Sequence, residues 1–151
     1  MALASLLQDL RDTHDRTLAC FDLSGPDLDK SYAPGKWTVR QLLHHLADAE
    51  TVLYDRIRRI ISEPRQVIWA FDQDGWAANL DYTSLPLALN KAVFSSIRQM
   101  VVELTMRHYE KDGDKTFVHS ETGVRSLRDE MEKIAWHNAH HLAQIEQALG
   151  R

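Results

Sequence analysis

The chain has 151 residues. It contains 18 Lys and Arg residues and 22 Asp and Glu residues, which gives a formal net charge of -4. At roughly 100–200 residues per domain, this length predicts a single domain over residues 1–151. The mild acidity argues against binding of nucleic acid, which needs a basic face. The single cysteine, Cys20, excludes an internal disulfide and favours a reducing compartment. No apolar run approaches the ~20 residues that a membrane-spanning helix needs, so we expect a cytoplasmic protein with no membrane partner.

Apolar residues recur at helical spacing in four long stretches of the chain. The first stretch runs from about Leu3 to Phe21 and is stopped by Ser24-Gly-Pro, because glycine and proline interrupt helices. The second stretch starts at Thr38-Val-Arg-Gln41, which has the T-x-x-Q form of a capping box. It ends near Ser62, just before Glu63-Pro64.

The second half of the chain predicts two more helices with a hairpin between them. The third helix opens near Leu85-Pro86, where proline is tolerated in the first turn, and runs to about Tyr109. Thr116–His119 and Gly123–Ser126 flank a short polar turn and predict a small hairpin. Ser126-Leu-Arg-Asp129 then resembles a second capping box at the start of the last helix. Four helices with one apolar stripe apiece predict an all-α four-helix bundle, although other all-α arrangements fit the same pattern.

Two segments show no long helical pattern. Asp27–Trp37 is predicted to be a loop, with Pro34-Gly35 as a turn. Val67–Ser84 mixes tryptophan, phenylalanine and tyrosine with Asp, Gly and Asn. A loop of this length inside a compact domain is usually functional, so we expect it to lie near a binding site.

Eight histidines are the most unusual feature of the composition. On a helical wheel, His45 lies at the margin of the apolar stripe of the second helix, whereas His44 points away and is predicted to lie in water. His137 and His141 are four residues apart on the last helix, so their side chains share one face, ~5–6 Å apart, whereas His140 faces away. This spacing allows two imidazoles to reach one metal ion, with His45 as a third ligand from another helix. The alternative is that each is an ordinary boundary histidine bonded to the backbone.

Three neutral imidazoles would leave one position of a tetrahedral metal ion open, which is typical of a catalytic site. They would also leave the charge of the ion uncancelled, so that it lowers the pKa of a bound water or thiol. The sequence contains no H-E-x-x-H, no E-x-x-H, no C-x-x-C and no phosphate-binding loop. A thermolysin-type protease, a di-iron carboxylate bundle and a phosphate-loop protein are therefore not indicated.

Glu50 lies within roughly 45° of the apolar stripe centre of the second helix, where a buried carboxylate needs a partner. It is a candidate catalytic residue, either as a general base or as the group that orients a ligand histidine. The alternative is an ion pair with an arginine on a neighbouring helix. Asp48 falls on the outer face of the same helix, and His119 is predicted to be a surface or loop residue.

Several segments resemble one known family. Trp37-Thr-Val-Arg-Gln-Leu-Leu-His-His45-Leu-Ala-Asp48 resembles the second helix of the DinB/YfiT-like metalloenzymes, and Trp136-His137-Asn-Ala-His140-His141-Leu-Ala-Gln144-Ile145 is similar to their last helix. Phe117–Gly123 and Phe71–Trp76 are similar to the hairpin and the aromatic loop of the YfiT-like branch. The resemblance implies an up-down-down-up bundle, a divalent zinc or nickel ion held by His45, His137 and His141, and a homodimer.

The resemblance also implies the chemistry. Members of the family are described as metal-dependent hydrolases, and better-characterised branches resemble thiol S-transferases that use bacillithiol, mycothiol or glutathione. We therefore expect a transferase that joins a low-molecular-weight thiol to a small electrophile such as an epoxide, halide or activated alkene, with the thiolate as nucleophile. The alternatives are a hydrolase that uses metal-bound water and a helical bundle that binds metal without turnover.

Overall fold

The computed structural model describes residues 1–151. In chain order its elements are α1 (Leu3–Phe21), α2 (Gly25–Leu28), α3 (Val39–Ser62), β1 (Val67–Ile68), α4 (Gln73–Asn79), α5 (Leu87–Asp112), β2 (Thr116–His119), β3 (Gly123–Ser126) and α6 (Leu127–Leu149). The four long helices form a bundle in which α1 and α3 each pack against both α5 and α6, so that α1 and α3 lie diagonally opposite. The predicted four-helix bundle with a hairpin before the last helix is confirmed. None of the helices combines the length and the apolar character that crossing a membrane would require.

Both predicted capping boxes are present. The Thr38 side chain accepts a hydrogen bond from the Gln41 backbone N–H, while the Gln41 side chain accepts one from the Thr38 N–H. Ser126 and Asp129 make the same reciprocal pair at the start of α6. A cap of this kind stabilises a helix by about 0.5–2 kcal/mol. Because α3 and α6 carry the clustered histidines, the two boxes also fix where those histidines lie along the bundle.

Three short elements were missed by the sequence analysis. β1 pairs in parallel with β2, on the side opposite the antiparallel partner β3. A strand of two residues is too short to show alternation in the sequence. α2 and α4 occupy predicted loops. Their starts are set by local caps, since Ser24 accepts a hydrogen bond from the Asp27 N–H and Asp72 accepts one from the Gly75 N–H.

The long helix α5 starts just after Pro86 and continues to Asp112, beyond the predicted end at Tyr109.

The core of the bundle consists of two apolar clusters separated by a polar layer. One cluster contains Leu6, Leu10, Leu53, Ile57, Val101, Met131 and Ile134. The other contains Phe21, Leu42, Leu43, Leu46, Phe94 and Ile145. The polar layer between them, with one or more residues from each long helix, is Thr13, Thr17, Glu50, Arg98 and Asn138, all buried.

Candidate metal centre

Three imidazole rings converge between α3 and α6. The Nε2 atom of His137 lies 3.1 Å from Nε2 of His45 and 3.1 Å from Nε2 of His141. One ligand atom from each ring lies within 4.8 Å of the other two. The structure thus brings together the three histidines that the sequence singled out, two from successive turns of α6 and one from α3.

The geometry of the three nitrogens fits a shared cation better than it fits hydrogen bonds among the rings. A neutral imidazole nitrogen carries either one proton or one lone pair, so His137 Nε2 can make an ordinary hydrogen bond to only one of its two neighbours. Tetrahedral ligand nitrogens at ~2.0–2.1 Å from a zinc ion lie about 3.3–3.4 Å apart, close to the 3.1 Å that separates His137 Nε2 from each of the other two. A cation between the rings would satisfy all three nitrogens together.

Burial keeps these histidines neutral at ordinary pH. Together with the smaller effect of the neighbouring His141, it lowers the pKa of His45 from 6.5 to about 3. It lowers the pKa of His137 to about 2, again with a second contribution from His141. The pKa of His141 is also lowered by burial, although its hydrogen bond to Gln144 opposes the shift. Neutral rings offer their lone pairs to a metal ion without first having to lose a proton.

Neighbouring side chains orient and shield the rings. Gln144 Oε1 lies 2.7 Å from His141 Nδ1 and accepts a hydrogen bond from its N–H, which leaves the lone pair on Nε2, facing the other two rings. Trp37 packs against His45 with ring centroids 5.0 Å apart, and Phe71 stacks on it at 6.3 Å. The resemblance covered these residues without giving them a role. The aromatic loop does lie at the cluster, as its length suggested.

Glu50 does not reach the histidines. Both of its oxygens are paired with Arg98, at 2.6 Å from Nε to Oε1 and 2.8 Å from Nη2 to Oε2, and both side chains are buried. Arg98 also donates to the Leu10 carbonyl oxygen and to Asn138. The structure therefore contains the ion pair that the sequence left open as the alternative for Glu50, and it explains why Asn138 is polar on the apolar side of α6.

The predicted exposure was wrong for three residues. His44 is 0% exposed, its Nδ1 lies 2.8 Å from the amide nitrogen of Asn90, and its ring stacks on Tyr82. Asp48 is half-buried and accepts a hydrogen bond from the same tyrosine. His119 is buried, and its Nδ1 accepts from the backbone N–H of Glu121. His44 and Asp48 are covered because the segment after α4 and the helix α5 pack on a second face of α3. A helical wheel with one apolar stripe does not indicate this second face.

Two pockets reach the histidine cluster. One, of about 110 Å³, ends at His137 and is lined by Ala49, Leu53, Arg56, Ala70, Phe71, Gln73, His119, Glu121 and Lys133. The other, of about 380 Å³, ends at His141 and is lined by Tyr32, Gly35, Lys36, Trp37, Gln73, Asp74 and Gln144. Small molecules can therefore approach the cluster along two different surfaces.

A four-helix bundle with three imidazoles converging from two helices, two of them buried and His137 partly buried, belongs to the class of helical proteins whose side chains can hold a metal ion in the core. The model of the DinB superfamily matches residues 3–145, and the chain belongs to that family.

The similar proteins agree with this assignment. A protein of Oceanobacillus iheyensis named "Putative metal-dependent hydrolase" is 37% identical over 127 residues, which cover 84% of this chain and 73% of that protein. A Bacillus cereus protein of the same name is 34% identical over 140 residues, which cover 92% and 80% of the two chains. The structure of YfiT from Bacillus subtilis, described as "a probable metal-dependent hydrolase with an unusual four-helix bundle topology", matches with a TM-score of 0.87 at 23% identity, over 98% of this chain and 87% of that one. The relatives and the histidine cluster together support a metal-dependent enzyme and a divalent metal.

Proposed function

We propose that this protein is a metal-dependent thiol S-transferase in which His45, His137 and His141 hold a divalent zinc or nickel ion. The observation that carries the proposal is the convergence of three neutral, largely buried imidazoles, each with a ligand nitrogen within 4.8 Å of the other two. A cation held by three neutral ligands keeps its charge and would lower the pKa of a thiol bound beside them.

The surrounding residues have separate tasks. Gln144 holds His141 in the tautomer and orientation in which Nε2 faces the cluster. Trp37 and Phe71 cover His45 and keep water from one side of it. The two pockets provide room for a thiol and an electrophile to reach the cluster from different surfaces. In the transfer, a bond forms between the thiol sulfur and the electrophilic carbon, and the thiol proton goes to solvent. With a halide, the carbon–halogen bond breaks and the halide ion leaves; with an epoxide, the C–O bond breaks and the ring oxygen takes up a proton from solvent.

The fixed state of Glu50 removes it as the base of a hydrolase. A carboxylate that acts as general base must lie within hydrogen-bond reach of the attacking water. Both oxygens of Glu50 are committed to Arg98, and no carboxylate forms a hydrogen bond to the three histidines. A thiol is more acidic than water and ionises near a cation without such a base.

Metal analysis followed by an activity assay tests the proposal. Purified protein should contain about one zinc or nickel ion per chain, and it should join glutathione, bacillithiol or mycothiol to a chromogenic aryl halide at a rate that a chelator abolishes. His137→Ala should lose both the metal and the activity. The control is His108→Ala, a histidine on α5 whose ring pairs with Asp112 and not with the cluster or Gln144, and it should retain both. Bound metal without any thiol-dependent turnover would refute the transferase.

The second candidate is a hydrolase, which the names of the relatives favour. It predicts turnover of ester or amide substrates that needs the metal and is independent of added thiol. If the protein instead carries no stoichiometric metal, and His137→Ala changes nothing, the bundle does not act as a metal enzyme.

A further inference from the structure

The pocket that ends at His137 contains an unbalanced group of charges. Arg56 Nη1 donates to Glu130 Oε1 at 3.1 Å, and Lys133 Nζ lies 3.9 Å from the same oxygen. The side chains of Arg56 and Glu130 are 4% and 2% exposed, whereas that of Lys133 is 36% exposed. Two cations thus share a single buried carboxylate.

Nothing else buried in this pocket supplies the missing negative charge. Glu121 also lines it, but that side chain is exposed at the surface. His119 is held neutral because burial lowers its pKa and its Nδ1 accepts a backbone N–H. The Nε atom of Arg56 is buried without any hydrogen-bond partner. A buried donor without a partner is unfavourable unless a ligand supplies one, and the partly exposed Lys133 reaches only a carboxylate that is already paired with Arg56.

The position of these charges relative to His137 suggests the shape of that ligand. Lys133 precedes His137 by four residues on α6, so the two side chains share one face and stand ~5–6 Å apart at Cβ. Ala49, Leu53 and Phe71 provide an apolar wall to the same pocket. A molecule that places its reacting atom at the histidines can therefore place a second group beside Lys133.

We propose that this pocket binds an anionic group of the substrate, a carboxylate, sulfonate or phosphate, with Lys133 as its exposed partner and Arg56 as the buried cation behind it. The proposal rests on the metal centre proposed above and adds the substrate class, a small acidic molecule. The other pocket offers the competing location, because Lys36 lies there beside His141.

A pair of thiols that differ only in charge tests this assignment. The protein is loaded with Co²⁺, and binding of 3-mercaptopropionate and of 3-mercaptopropionamide is followed through the visible absorption of the cobalt. The wild-type protein should bind the carboxylate about tenfold more tightly than the amide, the factor that one charge-assisted hydrogen bond supplies. Lys133→Gln should abolish most of this preference without weakening the amide, and Lys133→Arg should retain it. Lys111→Gln, an exposed lysine on α5 outside both pockets, should match the wild type.

Three outcomes would overturn the assignment. The first is equal binding of the two thiols by the wild type, and the second is a preference that survives in Lys133→Gln, which would trace it to the metal charge alone. The third is a preference lost in Lys36→Gln, which would move the anion to the pocket at His141. In each case the cobalt spectrum shows that the metal centre is present. A protein that fails to bind cobalt at all would refute the proposed function itself, and this inference with it.

Discussion

Replacement of Arg98 by methionine tests whether the polar layer is held together by this one side chain. Arg98 is 1% exposed and donates to both oxygens of Glu50, to the Leu10 carbonyl, to Thr13 and to Asn138. Methionine fills a similar volume but leaves the Glu50 carboxylate buried without its cation. Removal of one partner of a buried ion pair costs about 3–5 kcal/mol, and we expect Arg98→Met to fall in the upper part of this range because three other acceptors also lose their donor.

Urea denaturation followed by circular dichroism measures this change in the free energy of unfolding. Arg107→Met, which removes an exposed ion pair with Glu103, is the control and should change the free energy little. The double variant with Glu50→Leu should recover about 2 kcal/mol or more relative to Arg98→Met, since an apolar pair no longer strands a charge. A loss below about 1 kcal/mol in Arg98→Met, or strictly additive effects in the double variant, would refute the view that the two charges depend on each other.

Three further predictions concern the histidines. Zinc at one hundred times its Kd should raise the free energy of unfolding of the wild type by about 2.7 kcal/mol and leave His45→Ala unchanged, in a thermal or urea titration. Gln144→Leu should weaken zinc affinity about 10–100-fold because His141 loses its orienting acceptor, whereas His108→Ala, on α5, should not; equal affinities of Gln144→Leu and wild type in a competition assay would contradict this. The folded-state pKa values of His45 and His137, about 3 and about 2, lie below the 6.5 of an exposed histidine, so the unfolded chain takes up protons first as the pH falls. The metal-free protein should therefore have its full stability above pH ~6.5 and lose about 1.4 kcal/mol per histidine for each pH unit below that, as measured by denaturation at several pH values.

Local chemistry explains which parts of the fold could be predicted. The starts of α3 and α6 follow from reciprocal side-chain caps that a four-residue pattern encodes. The pairing of His137 with His141 follows from helix geometry alone, because residues four apart share a face. These features depend on neighbours in sequence, and the sequence predicted them.

Features that depend on which helices touch could not be predicted in the same way. The meeting of His45 with the α6 pair required α3 to pack on α6; the wheel made His45 a candidate third ligand, but it did not fix which helices are neighbours, whereas the family resemblance implied the complete ligand set. Glu50 was visible as a buried carboxylate, but its arginine could not be identified from 18 basic residues. His44 was misplaced because its cover comes from Asn90 and Tyr82, which are remote along the chain.

The direct succession of β3 and α6 has a mechanical consequence. Ser126 ends the strand and Leu127 begins the helix, so there is no linker to absorb a change in length. The first helical N–H groups are also tied back to the chain, from Leu127 to the Lys115 carbonyl at 2.8 Å and from Arg128 to the Gly113 carbonyl at 3.0 Å. One residue inserted at this junction would turn the helix by about 100° about its axis, since each turn holds about 3.6 residues. The hairpin thus acts as a spacer of fixed length, and the aim of two imidazoles toward the third depends on it.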